Sequence, residues 1–213
     1  MSELNYQILD AKGQDVGSLE LNPDVFGAPI HQDSVHFVVR QQLAARRAGT
    51  HSALARSDMK GGGKKPFKQK GTGHARQGSR ISPLNPGGAI LFGPSPRDYT
   101  FKVPRNVRRK ALAAALSDKV LQGNLRIVSE LQIESGKTKD MKAFLETIGV
   151  QGKVLVVLSK EEAGAEKVRR AANNLPNVVT LPPEGVNVYD LLKAKFLVGT
   201  KTAIEAIEAR FQA

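Results

Sequence analysis

Apolar positions near the start of the chain follow two different periods. Short apolar runs at Tyr6 to Leu9 and Ser18 to Leu21, joined around Gly13 and Gly17, predict a hairpin of two strands. Val35, Val38, Val39 and Leu43 recur at helical spacing behind Asp33 or Ser34, either of which suits a helix cap. That helix is expected to run into Arg46-Arg47 and stop near Gly49. A second helix is predicted from Pro104, with Val107, Leu112, Leu116 and Val120 on one side, ending at Gly123. Beyond it the pattern alternates. Leu125 to Val128, Lys153 to Leu158, Asn177 to Leu181 and Phe196 to Val198 read as strands. Thr138 to Ile148, Glu161 to Leu175 and Thr202 to Phe211 read as helices, with a helical turn at Tyr189 to Lys193. Val-Leu-Val-Val-Leu over 154–158 is continuously apolar, as a strand covered on both faces would be. The expected fold class is α/β: a mainly parallel sheet with helices on both faces, plus a long basic extended loop.

That loop is where periodicity fails. Between Arg56 and Gly88 the larger apolar side chains are Met59, Phe67, Ile81 and Leu84, and they share no helical or strand face. Gly and Pro interrupt the backbone every few residues. So little apolar surface cannot repay chain ordering, so the segment is expected to be disordered or extended when free. The organisation expected is one globular α/β domain from residues 1–49 and 97–213, with an extension over 50–96. At about 3.3 Å per residue, out and back, the extension could reach roughly 75 Å from the body.

Charge changes the picture most. Arg40 to Lys110 holds 17 Lys or Arg against Asp58 and Asp98, a net of +15, within a chain of net +12. The remainder is therefore slightly acidic, and the basicity belongs to one region. A long cationic, glycine-rich segment points to a polyanion. With a pI near 10.0 the choice is nucleic acid or anionic lipid. Lipid is disfavoured because no amphipathic basic helix carries bulky aromatics. Arg105, Arg108, Arg109 and Lys110 crowd a helix N-terminus, where positive charge opposes the macrodipole, so something negative is expected to offset them. There are no cysteines, so disulfides and thiolate metal sites are excluded, which fits a reducing compartment. The N-terminus lacks the basic start and apolar run of a signal peptide, and no stretch is apolar enough to span a membrane.

Enzyme chemistry finds no foothold. Gly71-Thr-Gly73 begins like a dinucleotide fingerprint, but Arg76 stands at the third glycine and no strand precedes it. Gly63-Lys64 suggests a phosphate loop, yet Asp58 replaces its leading glycine and Lys65 its Ser or Thr. His31, His36, His51 and His74 do not pair at ligand spacing. Ser159, Lys160, Glu161 and Glu162 follow a strand and look like helix-start residues. No cofactor, metal or catalytic set is expected.

Gly63-Lys-Lys-Pro-Phe-Lys-Gln-Lys-Gly-Thr-Gly-His-Ala-Arg-Gln-Gly-Ser79 closely resembles the signature of the bacterial ribosomal large-subunit protein L-four family. Gly87-Gly88, Phe92-Gly-Pro-Ser-Pro-Arg97, Arg46-Arg47-Ala-Gly-Thr50, the helix opening Arg105 to Leu112 and Gly185-Val-Asn-Val-Tyr-Asp190 extend the resemblance along the whole chain. Members often carry Arg at the place of His74. The resemblance implies a structural, non-enzymatic constituent of the cytoplasmic ribosome. Its partners would be large-subunit rRNA, neighbouring proteins including L-twenty-two, and the nascent peptide, with no membrane. The tip, Lys68, Gln69, Lys70, Gly71, Thr72 and Gly73, would line a narrow part of the peptide exit tunnel. The rRNA contacts it implies are Arg46, Arg47, Arg56 and Lys60 on the outgoing limb. Lys64, Lys65, Lys68, Lys70, His74, Arg76 and Arg80 follow around the tip, then Arg97, Arg105, Arg108, Arg109 and Lys110 on return. Arg76, Arg80 and Arg97 suit bidentate phosphate contacts or stacking, and the lysines act as point charges. The alternative is a free RNA-binding regulator of translation or transcription.

Overall fold

A computed structural model describes residues 4–131, 133, 135–159, 161–162 and 164–212. Contacts divide the chain into two units: residues up to Leu43 with those from Lys102 onward, and Ala44–Phe101.

The first unit is built on a six-stranded sheet. Strands β1 (Leu4–Leu9) and β2 (Asp15–Leu21) form the antiparallel hairpin. β3 (Leu125–Val128), β4 (Val154–Val157), β5 (Val178–Leu181) and β6 (Phe196–Thr200) run parallel to β1, in the order β2-β1-β3-β6-β4-β5. Thus β6 returns to lie between β3 and β4. Every residue of β4 and β6 is buried. Since successive side chains point to opposite faces, both faces of the sheet centre are covered. On one face Val154, Val156 and Val198 pack with Met141 and Leu145 of helix α4 (Thr138–Thr147) and Val168 of α5 (Ala165–Asn173). The edge strand β2 is largely exposed and carries Asp15 and Glu20, charges that discourage pairing with another chain.

The remaining helices are α1 (Pro23–Phe26), α2 (Gln32–Ala45), α3 (Arg105–Leu121), α6 (Val188–Lys193) and α7 (Lys201–Gln212). α1 escapes periodicity because four residues make barely one turn, although Asn22 accepts from Asp24 N at 2.9 Å and Pro23 opens it. α3 packs through small residues. Ala111, Ala113, Ala114, Ala115 and Leu116 are buried, while Leu112, Val120 and Val107 are only partly so. Lys119 is buried on the same helix and donates from Nζ to Ala194 O at 2.8 Å; its burial pushes the amine's pKa down.

Four local expectations are corrected. Gly17 does not turn the hairpin; it lies inside β2 opposite Ile8, and the turn falls at Gly13, whose φ is 74°. α2 starts before Asp33, with His31 O accepting from Val35 N, so Asp33 serves the first turn rather than capping. Pro104 precedes α3 rather than entering its first turn. α5 starts at Ala165, not Glu161, because Gly164 adopts φ 86°. Glu162 instead joins the ends of β4 and β6. Its Oε1 accepts from Ser159 N at 3.1 Å, Thr200 Oγ1 at 2.6 Å and Thr202 Oγ1 at 2.5 Å. Lys160 lies outside the described residues.

Candidate nucleic-acid interface

Ala44–Phe101 holds no helix beyond the end of α2 and no strand. Among its described residues from Thr50 to Thr100, Ala89 is the only buried one. Its shape comes instead from bonds between an outgoing and a returning limb. Arg97 N donates to Gly49 O at 3.1 Å, Ala53 N to Pro94 O at 2.8 Å, and Ile90 N to Leu54 O at 3.1 Å. Further out, Ser79 Oγ donates to Gly62 O at 2.7 Å. A Cβ on Gly62 would meet Ile81 Cγ2 at 2.6 Å and Ser79 Oγ at 2.8 Å, so glycine lets the limbs close there.

Past that crossing lies the tip. Lys68 through Gly78 are all exposed, and this run contains Lys68, Gln69, Lys70, Gly71, Thr72, Gly73, His74 and Arg76. The Phe67 and His74 rings stand 5.8 Å apart, and Lys65 Nζ donates to Gln69 Oε1. Gly71 and Gly73 take φ of 86° and 67° in open space, so only the backbone conformation restricts these positions. Lys60, Lys64, Lys68, Lys70, Arg76 and Arg80 have no carboxylate within ion-pairing distance among the described residues.

The segment's two acids do not neutralise it. Asp58 accepts from Ala55 N and Ser57 Oγ. Asp98 accepts from Thr100 N at 2.8 Å and Thr100 Oγ1 at 2.7 Å, bonds that hold its carboxyl below the usual carboxylate range. Eleven Lys or Arg against these two acids leave Ala44–Phe101 at +9. At its root the Arg47 and Arg97 guanidiniums lie 3.5 and 4.4 Å from the Tyr99 ring centroid, and the Tyr99 hydroxyl is 3.2 Å from His51 Nε2. One aromatic therefore fixes two guanidiniums in place, which lowers the ordering cost of a phosphate contact.

The other expected cations sit on or beside α3, in the sheet-bearing unit. Arg105, Arg108 and Arg109 line a cleft of about 540 Å³ with Arg210 and Glu184. α3 has no acidic residue in its first turn and no side-chain cap. Arg109, expected to face an external anion, has internal acceptors: its Nη2 donates to Phe211 O and, at 3.4 Å, to Arg210 O, at the negative end of α7. Arg210 in turn donates to Pro183 O and Val186 O, and its burial pushes its pKa down. Sequence reasoning missed Arg210, since an arginine in the last turn of a closing helix carries no special signal. Arg108 and Lys110 remain exposed.

A covered α/β sheet joined to a coreless, uncompensated cationic segment defines a polyanion-docking architectural protein. The family model described as Ribosomal protein L4/L1 family matches residues 19–210, and the chain belongs to that family. It is 44% identical over 204 residues to the large ribosomal subunit protein uL4 of Pelotomaculum thermopropionicum, covering 96% of this chain and 97% of that one. The uL4 proteins of Moorella thermoacetica and Agathobacter rectalis match at 44% over 201 residues and 43% over 204, each covering at least 94% of this chain and 96% of the relative.

Proposed function

We propose that this chain is a structural, rRNA-binding constituent of the large ribosomal subunit in the cytoplasm. Its work is positioning rather than catalysis. The observation that carries this is the exposed run Lys68 to Gly78, whose cations meet no carboxylate, in a segment with one buried residue. Such a surface gains its structure by neutralising phosphates and releasing counterions. The lysines supply point charges. Arg76, Arg80 and the Tyr99-held pair Arg47 and Arg97 supply planar, bidentate donors. Glycines at positive φ let the backbone approach RNA closely, so the segment fills the space between RNA helices and locks them together during assembly. At the tip, Gln69, Lys70, Gly71, Thr72 and Gly73 face the nascent peptide in the exit tunnel, opposite the protein L-twenty-two.

The test is cosedimentation of tagged full-length chain with large subunits through moderate salt washes, with crosslinking from Lys64, Lys68 and Lys70. Retention with crosslinks to RNA is expected. A chain released into the soluble pool, or lysines crosslinked to protein alone, overturns the reading.

A further inference from the structure

Phe92 sits in a place that suits it poorly on its own. Among the described residues it is the one non-glycine with φ in the left-handed region, at 51°. Its side chain is fully exposed, at 103%. The surrounding bonds impose both features. The returning limb is fixed at Ile90, which donates to Leu54 O, and at Pro94, which accepts from Ala53 N. Only Leu91, Phe92 and Gly93 lie between these anchors. A Cβ on Gly93 would stand 2.6 Å from Ala53 Cβ, so the limb is pressed inward there, and Phe92 is turned outward one residue earlier. Its neighbours Leu91 and Ile90 are 68% and 56% exposed, and Leu84 is 93% exposed.

Strained backbone persists where something over-determines it, and it clusters at binding sites. The segment uses glycine at Gly49, Gly61, Gly62, Gly71, Gly73 and Gly87 wherever φ is positive, yet keeps an aromatic at Phe92. The free protein gains no burial from that choice, so the return comes from a partner. A surface of +9 selects a polyanion, and the polyanion with flat apolar faces is RNA with unstacked bases. We propose that Phe92, backed by Leu91, is a wedge on which a splayed rRNA base stacks, adding a base contact to an interface otherwise made with phosphates. This rests on the reading that the segment docks on rRNA.

The chain has no tryptophan, so F92W places a single indole at the site. Full-length F92W is titrated with deproteinised large-subunit rRNA and, in parallel, with heparin, a polyanion without bases. Stacking predicts strong quenching and loss of acrylamide access with rRNA, and neither with heparin. F92A binds rRNA about tenfold more weakly, with the slope of log K against log salt unchanged. F92G, which removes the strained φ as well as the ring, shows the same loss, so the loss does not come from a distorted turn. An indole still open to acrylamide on saturating rRNA, or F92A binding like wild type, overturns the proposal. So does protection that appears only when other ribosomal proteins are added, which makes the occupant a protein pocket. Wild-type chain that fails to bind rRNA at all removes the functional reading itself, a result distinct from intact binding with an unstacked Phe92.

Discussion

Replacing Gly49 by alanine tests whether the root of the basic segment holds its limbs together. Gly49 has φ 64°, and a Cβ there would be driven into the Arg97 carbonyl and lie 3.4 Å from Tyr99 Cδ2. The same carbonyl neighbourhood carries the Arg97 N to Gly49 O bond of 3.1 Å. A left-handed φ costs alanine about 1–2 kcal/mol. Breaking the limb-to-limb bond forfeits about 0.5–1.5 kcal/mol more. The obstacle is backbone, so no side-chain rotation relieves it. A combined shift of about 1.5–3.5 kcal/mol lowers the closed-to-open ratio roughly 10- to 400-fold, and apparent rRNA affinity falls with it. Hydrogen exchange at the Arg97 and Ala53 amides should accelerate. Filter binding should show weaker rRNA affinity with an unchanged salt slope, since no phosphate contact is removed. Gly71→Ala is the control, because its φ is 86° but its surroundings are open. It should lose about five- to thirtyfold, from φ strain of about 1–2 kcal/mol alone. Gly62→Ala should fall between them, because the atoms it meets end the Ile81 and Ser79 side chains. Equal effects for Gly49→Ala and Gly71→Ala would refute the argument that backbone pairing at the root closes the segment.

Four further outcomes are expected. Deleting Met59 to Arg80, none of which is buried, should leave the sheet-bearing unit's thermal midpoint within about 2 °C by circular dichroism, while rRNA binding drops. Leu197→Ala, at a fully buried position of β6, should cost roughly 3 kcal/mol and lower the midpoint by about 6–12 °C. Burial raises the Tyr6 phenol above its ordinary 10.0, and its hydroxyl donates to Leu125 O at 2.8 Å. That stability is complete below pH 10 and is lost as pH rises through the folded-state value, so urea midpoints of wild type should fall towards those of Tyr6→Phe over that window. Arg108→Gln should raise the isolated protein's stability by about 0.5 kcal/mol and reduce the rRNA salt slope by about one.

The sequence carried the elements whose cause is local. Val-Leu-Val-Val reads as a covered strand because no polar residue interrupts it, and β4 occupies Val154–Val157. The basic segment was legible for the opposite reason: nothing in it alternates, and only Ala89 is buried. What failed depended on the rest of the fold. The placement of β6 between β3 and β4 leaves no mark on any single strand. Residue type alone makes Asp33 and Glu162 look like helix-start groups, and an acid serves equally as a first-turn residue or as a tie between two strand ends. Of the face expected on α3, Leu116 is fully buried, but the alanines that pack beside it give little signal because alanine scores weakly as apolar, yet close packing favours it. In the sequence Phe92 is only one member of a motif, and its strain appears only in the backbone angle.

The start of α3 shows how this chain divides its positive charge. Arg105, Arg108, Arg109 and Lys110 open α3, which has no acidic residue in its first turn and no side-chain cap; positive charge there works against the helix, by about 0.3–1 kcal/mol for a first-turn cation and less in the second turn. Arg109 recovers that cost inside the protein by donating to the carbonyls that end α7, and Arg210, on α7 itself, does likewise for the turn at Pro183 and Val186. Arg108 and Lys110 face solvent and recover nothing there. An isolated domain shaped by stability alone would have lost them. If their return comes with RNA, as proposed above, stability of the free protein and affinity for the ribosome should move in opposite directions at these positions, and together at Arg109.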